Sequence, residues 1–402
     1  MTSYVPLAVP SIGRRERELV LAAVESGYVS SVGPFVTRFE EEFAAAVGSR
    51  HAVACASGTA AIHLGLQVLG VGPGDLVAVA DFTFVGSVNP VRYLGADPLF
   101  VDSERRTWNL DPLLLVEDLD RRALAGEQLP KVVEVVHALG QPAEMQPVLE
   151  ACDRHGIAVL EDAAESLGAT WSLPDETGRL VERHTGTLGR VGAFSFNGNK
   201  IATTGGGGML VTDDADLAAH ARHLSTQAKV PGVGYLHDEV GYNYRLTNVA
   251  AALGIAQLER LPEFVARKRE IAARYDAALG ELGDEIVLPP RLPGFDATYW
   301  LYSVLIGAGR RDSILARLEQ NGIGARALWR PLHQQPPFAG TPVIAGPAAT
   351  VGDELFAQGL SLPCSTALTE PDQRRVIDAV LEAISELSSA SLWSKSNSHS
   401  ER

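Results

Sequence analysis

Along the first half of the chain, short apolar runs alternate with stretches whose apolar residues recur at helical spacing. "LVAVA" (76–80), "PLFVD" (98–102), "KVVEVV" (131–136), "IAVLED" (157–162), "AFSF" (193–196) and "GMLVT" (208–212) read as buried strands. Helical patterns lie between the early ones, at about 59–70, 85–94, 111–123 and 143–155. This alternation predicts an α/β fold with a mostly parallel sheet flanked by helices. After Thr212 the pattern changes. Residues 245–283 read as one long helical region, with Pro262 marking a break or kink. A smaller C-terminal α/β unit follows, with a strand at 299–306 and helices at 311–321 and 371–388. We therefore expect a large domain over 1–260, a small one over 261–388, and a polar, disordered tail over 389–402. Residues 172–186 read as an exposed hairpin insertion, and no internal repeat is visible.

The chain has 402 residues and is 46% hydrophobic, enough for a large core and, at roughly 150 residues per domain, two or three domains. Its 34 basic and 49 acidic residues give a net charge of −15, and no basic face is visible. That argues against nucleic acid as a partner but leaves room for local pockets that hold an anionic small molecule. Cys55, Cys152 and Cys364 are far apart and lack metal-ligand spacing, which fits a reducing compartment and no metal site. The start "MTSYVPLAVP" lacks the charged-then-apolar order of a signal peptide. No apolar run approaches the ~18 residues a membrane span needs. The expectation is a soluble, cytoplasmic protein with no membrane partner.

Three stretches carry candidate chemistry. "ACASGTAAIHLGL" (54–66) places Ser57, Gly58 and Thr59 where a strand gives way to a helix. The free N–H groups of a helix start suit a phosphate, although Ser57 could equally be an ordinary N-cap. "IAVLEDAAESLGA" (157–169) ends a strand on Glu161 and Asp162. Ligands of open α/β sheets bind at such strand ends. There Asp162 could hold a cationic ring nitrogen, or merely cap a following helix. "SFNGNKIATTGGGGM" (195–209) carries Lys200, one of only five lysines, beside a run of glycines. A surface position is the default for lysine. A partly buried lysine instead becomes a nucleophile able to form a Schiff base. A phosphate cup, then a strand-end aspartate, then a lysine about 40 residues later is the order that pyridoxal phosphate requires.

Together with "GYVSSVGPFVTRFEEEFA", "DFTFVGSVNPVRYLGADPLFVD", "VVHALGQPAEM", "EVGYNYRLTNVAAALGIAQLERL" and "LWRPLHQQPPF", these stretches run in order from "VPSIG" (9–13) to about residue 385. On them the chain resembles the nucleotide-sugar aminotransferases of the DegT class, fold-type-I enzymes that use pyridoxal 5′-phosphate. The resemblance implies a homodimer with its active sites at the interface, and makes the large domain the cofactor-binding one. It assigns Lys200 as the lysine that carries the cofactor. Asp162 pairs with the ring nitrogen, and Phe84 stacks on the ring. Ser57, Gly58, Thr59 and Ser195 hold the phosphate. Glu165 sits where many members have glutamine, near the cofactor's phenolic oxygen. Asn243 reaches the phosphate of the neighbouring subunit's cofactor. His333 and Tyr28 contact the nucleotide sugar. Read from the residues alone, Phe84 could be plain core and His333 a loop cap. His137 reads as a group lining the site rather than a metal ligand.

The chain departs from the family pattern at Ala80, Leu139 and Gly206, where proline, tyrosine and glutamate are common. The resemblance further implies that L-glutamate donates the amino group and that a nucleotide-linked keto-sugar accepts it. The expected acceptor is a 4-keto-6-deoxy sugar on dTDP or UDP, aminated at carbon 4. Two alternatives stand beside it: a related dehydratase, in which histidine replaces the lysine, and a non-catalytic regulatory or binding protein on the same fold.

Overall fold

The structure is a computed structural model, which describes residues 4–398 apart from 175, 176 and 308. Fifteen strands and twelve α-helices are present among the described residues. The strands of the first half are β1 (His51–Cys55), β2 (Leu76–Ala80), β3 (Asp97–Val101), β4 (Val132–Val136), β5 (Ala158–Asp162), β6 (Thr170–Pro174), β7 (Leu180–His184), β8 (Val191–Ser195) and β9 (Gly208–Thr212). The second half adds β10 (Ile286–Val287), β11 (Phe295–Asp296), β12 (Tyr302–Ile306), β13 (Arg326–Ala327), β14 (Val343–Ile344) and β15 (Gly359–Leu362). The helices are α1 (Arg14–Glu25), α2 (Pro34–Val47), α3 (Gly58–Val68), α4 (Val85–Tyr93), α5 (Pro112–Ala125) and α6 (Met145–His155). After them come α7 (Ala215–Ser225), α8 (Asn248–Glu259), α9 (Leu261–Leu279), α10 (Arg311–Gln320), α11 (Val351–Gln358) and α12 (Glu370–Ser398).

The main sheet has eight strands in the order β1-β9-β8-β5-β4-β2-β3-β14. Pairing is parallel from β8 through β5, β4, β2 and β3 to β14, and antiparallel where β9 meets β8 and β1. The mostly parallel sheet expected from the alternation is therefore present. Its central strands are covered by helices on both faces, so their runs are nearly continuous in apolar residues rather than alternating. β4 reads Val-Val-Glu-Val-Val and is buried at all five positions. The carboxyl ends of β2, β4, β5 and β8 lie side by side, and the loops that leave them converge on one place.

A second sheet, β10-β12-β15-β13, has its own apolar core with α9, α10 and α12. The long helical region divides at Arg260 into α8 and α9, and Pro262 occupies the first turn of α9. A proline is tolerated there because its missing N–H would have no helical partner. Leu261, Phe264 and Val265 of α9 pack into the main core, while Ile271, Tyr275 and Leu279 pack into the second. The short strand β14 returns from the C-terminal part to the edge of the main sheet.

The hairpin expected at 172–186 is the antiparallel pair β6–β7, although Trp171 at its base is buried and β11 pairs with its other edge. Residues 175 and 176 of its turn lie outside the described residues. The terminal helix does not end near 388; it runs to Ser398, and no glycine or proline interrupts residues 372–398. Residues 399–402, the rest of the expected tail, lie outside the described residues. Among the described residues, no helix is long and apolar enough to cross a membrane.

Candidate active site

A cavity of about 360 Å³ opens at the carboxyl ends of the central strands. It is lined by Ser57, Gly58, Thr59, Phe84, Asp162, Glu165, Ser195 and Lys200, eight of the residues singled out in the sequence.

Asp162 ends β5 and is almost fully buried. One carboxylate oxygen accepts the Ala164 N–H at 3.0 Å, and the other accepts the Ser87 hydroxyl at 2.7 Å. Ser87 stands on α4, 2.9 Å from the Thr83 hydroxyl. The Ala164 bond belongs to a turn, and the next element is β6, so Asp162 caps no helix. A carboxylate with one donor on each oxygen is held in one orientation.

Lys200 lies in the loop from β8 to β9. Its side chain is 12% exposed, and its Nζ lies 3.0 Å from Glu165 Oε1 and 3.9 Å from the centre of the Trp300 ring. The Trp300 indole N–H donates to the Asn199 carbonyl at 2.7 Å, clamping the loop next to the lysine. Behind Trp300, the buried Lys268 Nζ donates to the Trp300 carbonyl at 2.8 Å. Glu165 also accepts the Leu139 N–H at 2.9 Å. Leu139 is left-handed, with φ 59°, a conformation costly for a residue with a side chain. Burial pushes the Glu165 carboxyl up from the usual glutamate range, and Lys200 pulls it back.

One end of the cavity is built on the start of α3. The Ser57 hydroxyl accepts the Ala60 N–H at 3.0 Å, so Ser57 is an N-cap as well as a cavity wall. A Cβ on Gly58 would come within 2.8 Å of the Ser195 Cβ, and one on Gly208 within 2.3 Å of the Ser57 carbonyl. Only glycine lets the start of α3 approach β8 and β9 so closely. Phe84 is 55% exposed, so it is not core; its ring borders the cavity. These features fit pyridoxal phosphate: backbone N–H groups and hydroxyls for a phosphate, a bare aromatic face, a fixed buried carboxylate, and one amine among them.

Tyr28, Asn243 and His333 do not line the cavity of their own chain. Tyr28 and Asn243 are exposed. His333 is held by the buried Asp81, whose carboxylate accepts the His333 N–H at 2.9 Å and pairs with its Nδ1. His137 is fully buried away from the cavity, with Nε2 2.9 Å from Glu161 and Nδ1 accepting the Ala143 N–H at 3.1 Å. That corrects its expected place in the site lining. It braces the β4–α6 connection instead.

Sequence reasoning missed Trp300, Trp329 and Arg326, which the C-terminal part contributes to the cavity wall. "YWLYSVLI" reads simply as a strand, but the strand begins only at Tyr302. Trp300 precedes it in a turn where Tyr299 has φ 50°. Tryptophan flanking a strand was the available signal.

The chain matches the DegT/DnrJ/EryC1/StrS aminotransferase family over residues 10–381. It is 42% identical over 95% of its length, and 96% of the relative's, to EpsN of Bacillus subtilis, given as a candidate pyridoxal phosphate-dependent aminotransferase. It is 39% identical to the GDP-perosamine synthase of Caulobacter vibrioides, covering 94% of this chain and 97% of that one. Among solved structures it is similar to the aminotransferase TlmJ from Streptoalloteichus hindustanus, with TM-score 0.84 and 32% identity over 96% of this chain and all of that one.

Proposed function

The chain belongs to the DegT/DnrJ/EryC1/StrS aminotransferase family, and from that premise we propose the reaction of this pyridoxal-phosphate enzyme. It moves an amino group from L-glutamate to carbon 4 of a nucleotide-linked 4-keto-6-deoxy sugar. The observation that carries the reading is the meeting of Lys200, Asp162 and the Ser57–Thr59 cup around one cavity.

When bound, the pyridoxal group supplies an electron sink for the carbon beside the transferred nitrogen. The protein residues do the rest. The N–H groups at the start of α3, with Thr59 and Ser195, take the phosphate. Asp162, fixed by Ser87 and Ala164, keeps a ring nitrogen protonated by accepting its N–H. Phe84 gives its exposed face to the ring. Lys200, under Trp300, is the group that picks up and returns the proton at the reacting carbon. Glu165 accepts from its Nζ at 3.0 Å and orients it.

The active assembly in this reading is a homodimer. Tyr28 and Asn243 sit on segments that also expose Val32, Tyr235 and Val240. Such apolar exposure marks a surface that another chain covers. Asn243 then completes the partner's phosphate cup, and Tyr28 and His333 serve the sugar. The GDP-perosamine synthase relative adds GDP to dTDP and UDP as nucleotides to try.

The test is a panel of GDP-, dTDP- and UDP-linked 4-keto-6-deoxy sugars with L-glutamate and the cofactor, read by mass spectrometry. One member should be converted to its 4-amino product with one 2-oxoglutarate formed per amine. Amination at carbon 3, or no amination of any member, would overturn the proposal.

A further inference from the structure

Glu134 stands in the middle of β4, flanked by valines on either side. It is fully buried, and neither carboxyl oxygen has a hydrogen-bond partner. Burying a carboxyl without a partner is costly, and native structures seldom do it. The nearby buried carboxyls are all engaged. Asp162 takes Ser87 and the Ala164 N–H, and Glu165 takes Lys200 and the Leu139 N–H. Glu161 takes His137 and the N–H groups of Gly186, Leu188 and Gly189. Glu134 is the exception.

Register says where it sits. Val136 pairs with Asp162, while Glu134 pairs with Leu160 on one side and Val79 on the other. Side chains alternate along a strand, so Glu134 shares a face with Val136 and Asp162. Both of those line the cavity. Glu134 is therefore one pleat behind the wall they form, about 7 Å along the strand from Val136. Burial, and then the charge of Asp162, push its carboxyl well above the usual glutamate range, which favours the form that carries an O–H.

We propose that Glu134 is a second carboxyl of the ring-nitrogen subsite, a positioning residue that donates its O–H to Asp162 from behind when the cofactor is seated. This rests on the reading of the cavity as a pyridoxal phosphate site. Because the two carboxyls share one face of neighbouring strands, a rotation of the Glu134 side chain would bring its O–H toward Asp162. The bond draws charge away from the Asp162 oxygen that faces the ring and fixes that oxygen's direction. Without it Asp162 becomes the stronger acceptor, and the protonation of the bound cofactor shifts.

The experiment compares wild type, Glu134→Gln and Glu134→Leu by infrared difference spectroscopy on cofactor addition and by the pH titration of the cofactor's visible absorbance. Wild type should show a carboxylic-acid stretch that moves when the cofactor binds, and both variants should lack it. Glu134→Gln keeps the shape and a donor, so its absorbance should titrate as wild type does. Glu134→Leu should move the midpoint by about half a unit or more. A wild-type acid band that ignores the cofactor would overturn the proposal, as would a Leu variant with wild-type midpoint and turnover. If the Leu variant fails to fold, the infrared comparison of wild type with the Gln variant decides alone. Absence of any lysine-linked absorbance in wild type would instead overturn the cofactor reading itself.

Discussion

Lys200 Nζ lies 3.0 Å from Glu165 Oε1, a buried ion pair at the centre of the cavity. The amine must leave this partner to attack a carbonyl, and must return to being a proton carrier afterwards. Glu165→Gln removes the charge and keeps the shape. Cofactor capture by the free protein should then be faster, by roughly threefold or more, because the amine no longer has to leave a charged partner. Stopped-flow absorbance gives the rate. An unchanged or slower rate would show that the pair does not restrain the lysine.

Asp162→Asn should keep part of the cofactor affinity, since the phosphate cup and Phe84 remain, but lose the charge opposite the ring nitrogen. Single-turnover amine transfer should fall by about 100-fold or more. Ser87→Ala removes only one of the two donors that orient Asp162 and should cost about tenfold or less. Equal losses in the two variants would contradict the division of labour between them.

Trp300→Phe removes the bond that clamps the Asn199 carbonyl while keeping an aromatic face over Lys200. One neutral hydrogen bond is worth about 1 kcal/mol, so cofactor affinity should weaken about fivefold. Equilibrium dialysis measures it. No change would mean that the loop needs no clamp.

Stability should fall as the solution is acidified. Burial lowers His184 from the ordinary 6.5 to about 4; its Nε2 accepts the Gly168 N–H at 2.6 Å and its Nδ1 faces the Thr185 carbonyl at 2.7 Å. His63 is lowered to about 4 as well. A depressed value means the stabilising neutral form is fully present above 6.5 and is lost as pH falls toward 4. The melting temperature of the cofactor-free protein should drop across that window, and His184→Gln should flatten the drop. An identical slope in the variant would remove His184 from the account.

Asn243 is exposed and does not line the cavity of its own chain. If it serves the partner, a heterodimer of Lys200→Ala with Asn243→Ala holds one intact site and one doubly broken site. Purified through two tags, it should show one site of wild-type cofactor affinity. Failure to find that site, or a monomeric active protein by light scattering, would defeat the dimer reading.

How far the sequence could be read depended on distance along the chain. Asp162 ends an apolar strand, Ser57 and Lys200 follow one by a few residues, and strand ends of a parallel sheet meet in space, so their convergence was legible. Arg326 comes from a second sheet and Trp300 from the turn that leads into it, and the docking of that sheet onto the first leaves no periodic mark. The edge strand β14 has two residues, too few for a pattern. His137 reads from the sequence as a site-lining group, yet its ring turns back toward Glu161. Only the paired register of β4 and β5, with the packing behind it, settles such directions.

The proposed reaction needs Lys200 as the lysine that carries the cofactor. Borohydride reduction of the loaded protein, followed by digestion and mass mapping, tests it directly. A single pyridoxyl adduct is expected on the peptide that contains Lys200, and none in Lys200→Ala. An adduct on Lys131, Lys229, Lys268 or Lys395 with Lys200 unmodified would contradict it.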